Sequence, residues 1–234
     1  MQIIKAKNYS EMSKKASQII VDEISKNPKL NICLPTGATP KGLYKELVKA
    51  NKNKKVNFSQ TKFFNLDEYY PIKNTKDSYS NYLHKNLLDH INAKSENINF
   101  LDAKTQNPKK ECKDYETKLK KNPIDLAILG IGKNGHIAFN EPGSQKNSRT
   151  RLINLSKSTI KANSKFFKNK KQIPTKAMTI GTKNILSAKK IILLANHKQK
   201  KEAISHLIDD KPSKNWPATF LKNHKNFTLI LDES

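Results

Sequence analysis

Arginine is almost missing from this chain: of its 45 lysines and arginines, only Arg149 and Arg151 are arginine. Groove readers rely on arginine's bidentate fork for bases and phosphates. The lysines are scattered along the whole length rather than gathered in one arm or helix. The net charge of +25 therefore reads as a compositional bias on solvated faces, and no nucleic-acid partner is expected. That charge would still attract anionic, phosphorylated metabolites. Cysteine is scarce as well. Cys33 and Cys112 are the only two, neither lies in a metal-spaced pair, and Cys33 within an apolar run reads as a buried strand residue. Long hydrophobic runs are absent; nothing approaches the roughly 18 apolar residues of a membrane span. The first residues, Met-Gln-Ile-Ile-Lys-Ala-Lys, contain no hydrophobic signal core. The expectation is a soluble cytoplasmic protein with no membrane partner.

What is present is an alternation of apolar runs and helical periodicity. Strands are predicted around 3–4 and at 30–34, 61–66, 98–101, 125–129, 177–180, 190–195 and 227–231. Between them, apolar spacing predicts helices over 12–24, 41–52, 79–88, 108–120 and 199–208. Strands alternating with helices of ten or so residues argue a mostly parallel sheet covered on both faces. The expected fold is a doubly wound, Rossmann-like α/β domain. With 234 residues, short polar linkers and no internal repeat, residues 1–234 are expected to form a single domain.

The most informative stretch runs from Ile124 to Pro142. Its apolar run, 126–129, stops at Gly130, Gly132 and Gly135, which hand over to His136, and Glu141 follows. A buried strand ending in a glycine turn leaves its last residues at the carboxyl edge of a sheet, where open α/β proteins keep their ligands. The same glycines spell G-x-G-x-x-G, but a dinucleotide fingerprint needs a helix opening at the glycines and an acid about twenty residues on. Pro142 and Gly143 leave no room for that helix, and the later region reads Arg149-Thr-Arg-Leu-Ile-Asn-Leu. The dinucleotide reading is set aside. A positioned carboxylate fixes the tautomer of an imidazole, so His136 with Asn134, Asn140 and Glu141 nearby reads as acid–base equipment.

Other segments are ambiguous singly. Leu34-Pro-Thr-Gly-Ala-Thr-Pro40 joins a strand to a helix, with Gly37 for a tight turn, Thr39 as N-cap and Pro40 in the first helical turn. Exposed amides there, with the hydroxyls of Thr36 and Thr39, would form a phosphate site; an ordinary capped turn would look the same. Phe63-Phe-Asn-Leu-Asp-Glu-Tyr-Tyr70 puts Asp67 and Glu68 at the end of an apolar strand. Neighbouring strand residues point to opposite faces, so only one of the two should enter a site. Burial there would raise an acid's proton affinity towards that of a useful base; helix-capping acids in a turn are the plainer alternative. Lys165 and Lys200 are candidate phosphate partners, each taken alone more in keeping with a solvated surface.

Together these segments resemble the glucosamine-6-phosphate deaminase/isomerase family. The resemblance rests on LPTGATP (34–40), FFNLDEYY (63–70), LGIGKNGHIAFNEPGS (129–144), SRTR (148–151), ANSKFF (162–167) and KAMTIG (176–181), and it spans nearly the whole chain. The 6-phosphogluconolactonases share the fold and a similar first phosphate loop, but not FNLDEY or GHIAFNEP as written. The resemblance implies conversion of glucosamine 6-phosphate and water to fructose 6-phosphate and ammonia, with no metal or other cofactor. It implies that His136 opens the pyranose ring with Glu141 orienting and charging it, and that Asp67 moves a proton from C2 to C1. It places the phosphate on Thr36, Gly37, Ala38 and Thr39 with Lys165 and Lys200.

This sequence departs from the family's pattern at two positions. Many members carry aspartate in place of Asn134, and arginine is usual in place of Lys165. A neutral amide cannot stabilise an imidazolium, so Asn134 should leave that role to Glu141. Lysine keeps the charge of arginine but loses the bidentate clamp; Lys165→Arg is therefore expected to lower KM, and an unchanged KM would count against a phosphate role for this position. Larger relatives are hexamers activated by an acetylated sugar phosphate. Gln145 and Ile153 stand where those forms carry effector contacts, and the sequence ends at Ser234 without their C-terminal extension. The expectation is a non-allosteric monomer or small homo-oligomer, which gel filtration checks. The alternatives are a galactosamine-6-phosphate deaminase/isomerase, a lactonase-like enzyme, or a non-catalytic sugar-phosphate sensor whose binding would survive loss of Asp67.

Overall fold

The computed structural model describes residues 1–164, 167 and 173–234. In chain order its elements are β1 (Gln2–Ala6), α1 (Tyr9–Lys26), β2 (Asn31–Leu34), α2 (Lys41–Lys52), β3 (Lys62–Asn65), β4 (Asp67–Tyr70), α3 (Tyr79–Asn86), β5 (Ile98–Asn99), α4 (Pro108–Lys121), β6 (Leu126–Gly130), β7 (Arg151–Asn154), α5 (Lys157–Asn163), β8 (Lys176–Thr179), α6 (Thr182–Leu186), β9 (Lys190–Asn196), α7 (His197–Asp209) and β10 (Phe227–Asp232). Side-chain caps start the major helices where polar residues precede apolar periodicity. Asn8 accepts from the Glu11 amide before α1, and Asn107 accepts from the Lys110 amide before Pro108 opens α4.

Seven strands form a parallel sheet in the order β1-β10-β9-β6-β2-β3-β5. The central runs are apolar throughout because both faces are covered. Alternation divides them: Ile128, Ile192 and Leu194 pack on the face of α1, α2 and α3, while Ala127, Leu129, Ile191 and Leu193 pack on the face of α4, α6 and α7. Each fully buried Leu or Ile contributes ~1.5–3 kcal/mol through burial. From β2 the chain moves outward through β3 and β5, then returns to lay β6 on the other side of β2. The direction of winding thus reverses between β2 and β6, and a crevice at their carboxyl ends is where such folds bind ligands.

Three predicted elements take a different form. The strand expected over 61–66 is β3, ending at Asn65, and Asp67 and Glu68 open β4 in a second sheet. This sheet is antiparallel, in the order β4-β8-β7, so the strand expected at 177–180 pairs there and not in the parallel sheet. Its third member, β7, has no counterpart among the predicted strands. The link between the sheets is Leu66, whose amide donates to Leu34 of the parallel sheet at 3.3 Å while its carbonyl accepts from Ile180 at 2.9 Å. Aromatic residues Tyr69, Phe139 and Phe167 fill the space over the second sheet. The helix predicted over 79–88 stops at Asn86, and a separate 3-10 turn covers Leu88–His90.

Candidate active site

The candidate residues follow the carboxyl ends of β2, β3, β6 and β9. The loop after β2, 35–39, is shaped by tyrosines. Tyr44 donates to the Pro35 carbonyl, Tyr82 to the Gly37 carbonyl, and Tyr9 lies 3.1 and 2.9 Å from the Ala38 and Thr39 carbonyls. Gly37 turns the chain at φ +101°, a backbone conformation that favours glycine. With these carbonyls tied back, the amides of Thr36, Gly37, Ala38 and Thr39 find no acceptor among the described residues. Four unspent N–H groups beside a helix start are suited to an anion. One detail differs from expectation: the cap residue of α2 is Pro40, not Thr39. The helical ladder begins when the Tyr44 amide donates to the Pro40 carbonyl at 2.9 Å, one residue later than the sequence suggests.

Of the two candidate phosphate lysines, Lys200 lies half-buried in the first turn of α7, at the carboxyl end of β9. Lys165 lies outside the described residues.

Asp67 is 6% exposed, and no described residue donates a hydrogen bond to its carboxylate. Burial, with the Glu68 carboxylate adding to it, pushes its pKa well above the usual carboxylate range. Glu68 points the other way, as strand alternation requires. Its oxygens accept from the amides of Tyr69, Tyr79 and Ser80 at 2.9, 2.8 and 2.9 Å, closing the N-terminus of α3. Burial pushes Glu68 up to about 7 even though those three amides pull it down. Glu68 is thus a structural cap, and Asp67 is the acid of the two whose carboxylate no described residue engages.

The loop after β6 contains no helix from Ile131 to Gly143, so the G-x-G-x-x-G run makes no dinucleotide site of the usual kind. His136 Nδ1 lies 3.6 Å from Glu141 Oε2. That is beyond hydrogen-bond reach, and the buried Nδ1 has no hydrogen-bond partner among the described residues. Glu141 itself accepts from Asn134 at 2.7 Å and from the Thr159 hydroxyl of α5. Burial alone would raise its pKa, but the neighbouring His136 and the Thr159 and Asn134 donors overcome that and hold it down at about 2. Glu141 is therefore a fixed anion beside the imidazole. Asn134 acts on Glu141 as a donor, something an aspartate in its place could not do when ionised.

The folded pKa of Glu141 lies below the ordinary value of ~4.3, so its stabilising contribution is fully present above pH ~4.3 and is lost as pH falls towards about 2. Unfolding at pH 5 and pH 3 should show the advantage of wild type over Glu141→Gln shrinking at the lower pH; an equal or growing advantage would contradict this electrostatic picture.

The loop is held on all sides. Asn140 is fully buried; its amide donates to Ile137 and Ile180 carbonyls at 3.0 Å each, and its oxygen accepts from Arg151 at 2.9 Å. Arg149 pairs with Glu116 of α4 at 2.7 Å. Both arginines of the chain are therefore spent on structure. The Phe139 amide donates to Thr179 Oγ1 at 3.1 Å, and Thr179 is the β8 partner of Asp67, which brings the histidine loop beside the buried acid. Phe139 also stacks on Tyr79 with centroids 5.9 Å apart, and Tyr79 contacts Tyr69 at 4.5 Å.

Gly132 fits this loop only as glycine, since a Cβ there would come within 2.3 Å of the His136 ring. Gly132→Ala should displace the imidazole and lower kcat about tenfold or more, with a melting temperature near that of wild type; unaltered kcat would show that the ring's placement is not needed.

Sequence reasoning misses Tyr9, Tyr44 and Tyr82 at the first loop and Thr159 at Glu141. The three tyrosines reach that loop from α1, α2 and α3, so no local spacing relates them. Among the described residues, no group of three or more His, Cys, Asp or Glu side chains could hold a metal ion, and no helix is long and apolar enough to cross a membrane.

Known proteins share this arrangement of strands and loops. The family described as glucosamine-6-phosphate isomerases/6-phosphogluconolactonase matches residues 5–230. The chain belongs to this family. A glucosamine-6-phosphate deaminase of Clostridium novyi is 47% identical over the whole of this chain and 98% of its own length. One from Clostridium botulinum is 46% identical, covering all of this chain and 96% of the relative. A solved structure described as a monomeric glucosamine-6-phosphate deaminase superposes with a TM-score of 0.96 at 34% identity, over 100% of this chain and 98% of that one. A 6-phosphogluconolactonase from Thermotoga maritima, at 20% identity and a TM-score of 0.77 over 98% of each chain, shares the fold. The family membership implied by FNLDEY and GHIAFNEP is thereby confirmed, as is the α/β fold with its mostly parallel sheet.

Proposed function

We propose that this family member is a glucosamine-6-phosphate deaminase, converting glucosamine 6-phosphate and water to fructose 6-phosphate and ammonia. The observation that carries the reading is the placement at one sheet edge of the buried Asp67 carboxylate and the 36–39 amides, neither with a hydrogen-bond partner among the described residues, together with the His136–Glu141 pair. The amides of 36–39, with Lys165 and Lys200, bind the phosphate, and that remote binding orients C1 and C2. His136, beside the Glu141 anion, carries a proton to the ring oxygen so that the pyranose opens to the aldehyde. Asp67 takes the C2 proton, leaving an enolamine between C1 and C2. Returning that proton to C1 gives the imine at C2, and water adds there and expels ammonia. Asn134 holds Glu141 in place for this relay.

Two acid–base groups at separate positions meet the needs of a reaction with one proton transfer at the ring oxygen and another between adjacent carbons. The raised proton affinity of Asp67 suits it to a carbon-bound proton. The whole of 1–234 works as one domain, in the cytoplasm, as a monomer or small homo-oligomer, on a small-molecule amino sugar phosphate and without a cofactor. The relatives named as deaminases and the monomeric structural neighbour support this reading. The test is a parallel assay of glucosamine 6-phosphate, galactosamine 6-phosphate and 6-phosphogluconolactone. The gluco substrate is expected to have the highest kcat/KM; preference for the galacto epimer or for the lactone would replace this assignment.

A further inference from the structure

We infer that Trp216 is a positioning residue for His136, acting through Gly135. The need for one arises from the site itself. Among the described residues His136 Nδ1 has no hydrogen-bond partner, so no such bond at this nitrogen fixes the ring's orientation. Packing and the backbone of the glycine loop must do so.

The turn 213–218, which no sequence motif singles out, grips that loop at two points. The Ala218 amide donates to the Gly135 carbonyl at 2.8 Å, and the Gly143 amide donates to the Lys214 carbonyl at 2.7 Å. These contacts bracket His136 and Glu141. Between them the Trp216 indole lies directly on Gly135: a Cβ at that glycine would come within 2.6 Å of the indole Cε3. Gly135 is itself at φ +75°, a conformation that glycine holds without strain and that leaves the chain many alternatives when unsupported. Its neighbour in sequence is His136, whose carbonyl accepts from the Gly132 amide at 2.9 Å. Pressure from the indole on Gly135 therefore limits how far the Gly132–His136 turn can open, and with it where the imidazole sits.

The indole is held in turn. It stacks on His206 of α7 with ring centroids 3.8 Å apart and 21° between planes, and His206 Nδ1 lies 2.6 Å from Asp210. Thr219 Oγ1 donates to the Trp216 carbonyl at 2.6 Å, which pins the turn from below. The brace thus connects α7 to the proton-carrying loop by packed rings and backbone bonds.

The inference rests on the deaminase reading for its kinetic arm only. In Trp216→Ala the turn keeps its backbone bonds but loses the indole; in Trp216→Phe an aromatic face remains. For Trp216→Ala, kcat for ammonia release is expected to fall about tenfold to a hundredfold, as for a misplaced reacting group, while KM moves less than about threefold. Amide hydrogen exchange over 132–143 should accelerate in the same variant. Trp216→Phe should restore most of both. Wild-type kcat and exchange in Trp216→Ala would overturn the inference. So would a parallel worsening of kcat and KM with a large drop in melting temperature, which would mark a general loss of structure. A wild-type protein that released no ammonia would defeat the functional reading alone, because the exchange arm still decides whether the indole holds the loop.

Discussion

Replacing Asp67 by asparagine should lower kcat for ammonia release by about 10³-fold, within the 10²–10⁴ range typical of a general base, and should leave the protein as stable as wild type or more so. The two halves of this expectation have one cause. Asp67 is buried without a hydrogen-bond donor among the described residues, and its pKa is raised well above the ordinary range. A carboxylate in that setting is a stronger base and a costly one to bury. Because its folded pKa lies above the unfolded value of ~3.9, its contribution to stability is present below that value and is lost as pH rises through the folded pKa. Asparagine has nearly the same shape and no charge to desolvate. The gain in stability should therefore be largest at neutral and alkaline pH, where wild-type Asp67 must either ionise in place or hold a proton. Activity and thermal unfolding of the two proteins at pH 5 and pH 8 check this. A variant that keeps more than a tenth of wild-type kcat would remove Asp67 from the chemistry, and one that unfolds at far lower temperature would make it structural.

Loss of the imidazole should cost less. His136→Gln is expected to lower kcat by about 10²-fold, and the residual rate should have a particular origin. Sugar phosphates open their rings slowly without help, so Asp67 can still act on the open-chain fraction that solution supplies. No solution process substitutes for Asp67 in the same way. Turnover by His136→Gln should therefore cease to rise with added protein once spontaneous ring opening limits it, whereas wild-type turnover stays proportional to protein. Continued proportionality at the highest protein concentrations would place His136 in some step other than ring opening. Glu141→Gln should fall between wild type and His136→Gln. It keeps a side chain that Asn134 and Thr159 can still reach but removes the negative charge beside the ring.

Much of the fold and the site is legible in the amino-acid sequence alone. The apolar runs at 126–129 and 190–195 are long enough, and unbroken enough, to demand strands covered on both faces, and they form the middle of the parallel sheet. The turn from β6 into His136 is legible because Pro142 and Gly143 leave no room for the helix that a dinucleotide would need. That only one of Asp67 and Glu68 enters the site is legible because neighbouring strand residues face opposite ways, while the choice of Asp67 comes from the family resemblance.

What escapes is non-local. β4, β7 and β8 are four residues each and lie far apart in the chain, so their pairing has no signature in any one window. For that reason the strand that carries Asp67 is indistinguishable in sequence from the end of β3. The tyrosines that turn the 35–39 carbonyls away arrive from three different helices. Asn134 presents the subtlest case. Its chemistry suggests a weaker partner for the imidazole, whereas its Nδ2 is directed at Glu141, 2.7 Å away, an orientation set by the turn and invisible in residue type. Trp216 is remote from Gly135 in sequence, and only folding brings the indole onto it.

The most direct test of the account is to run the wild-type protein on glucosamine 6-phosphate in ²H₂O and to follow ammonia, fructose 6-phosphate and the label together. Ammonia and ketose are expected in equal amounts, with deuterium entering the ketose only at C1, to the extent that the proton carried by Asp67 exchanges before its return. Folded protein that binds the sugar phosphate yet releases no ammonia, or that places deuterium elsewhere on the product, would contradict it.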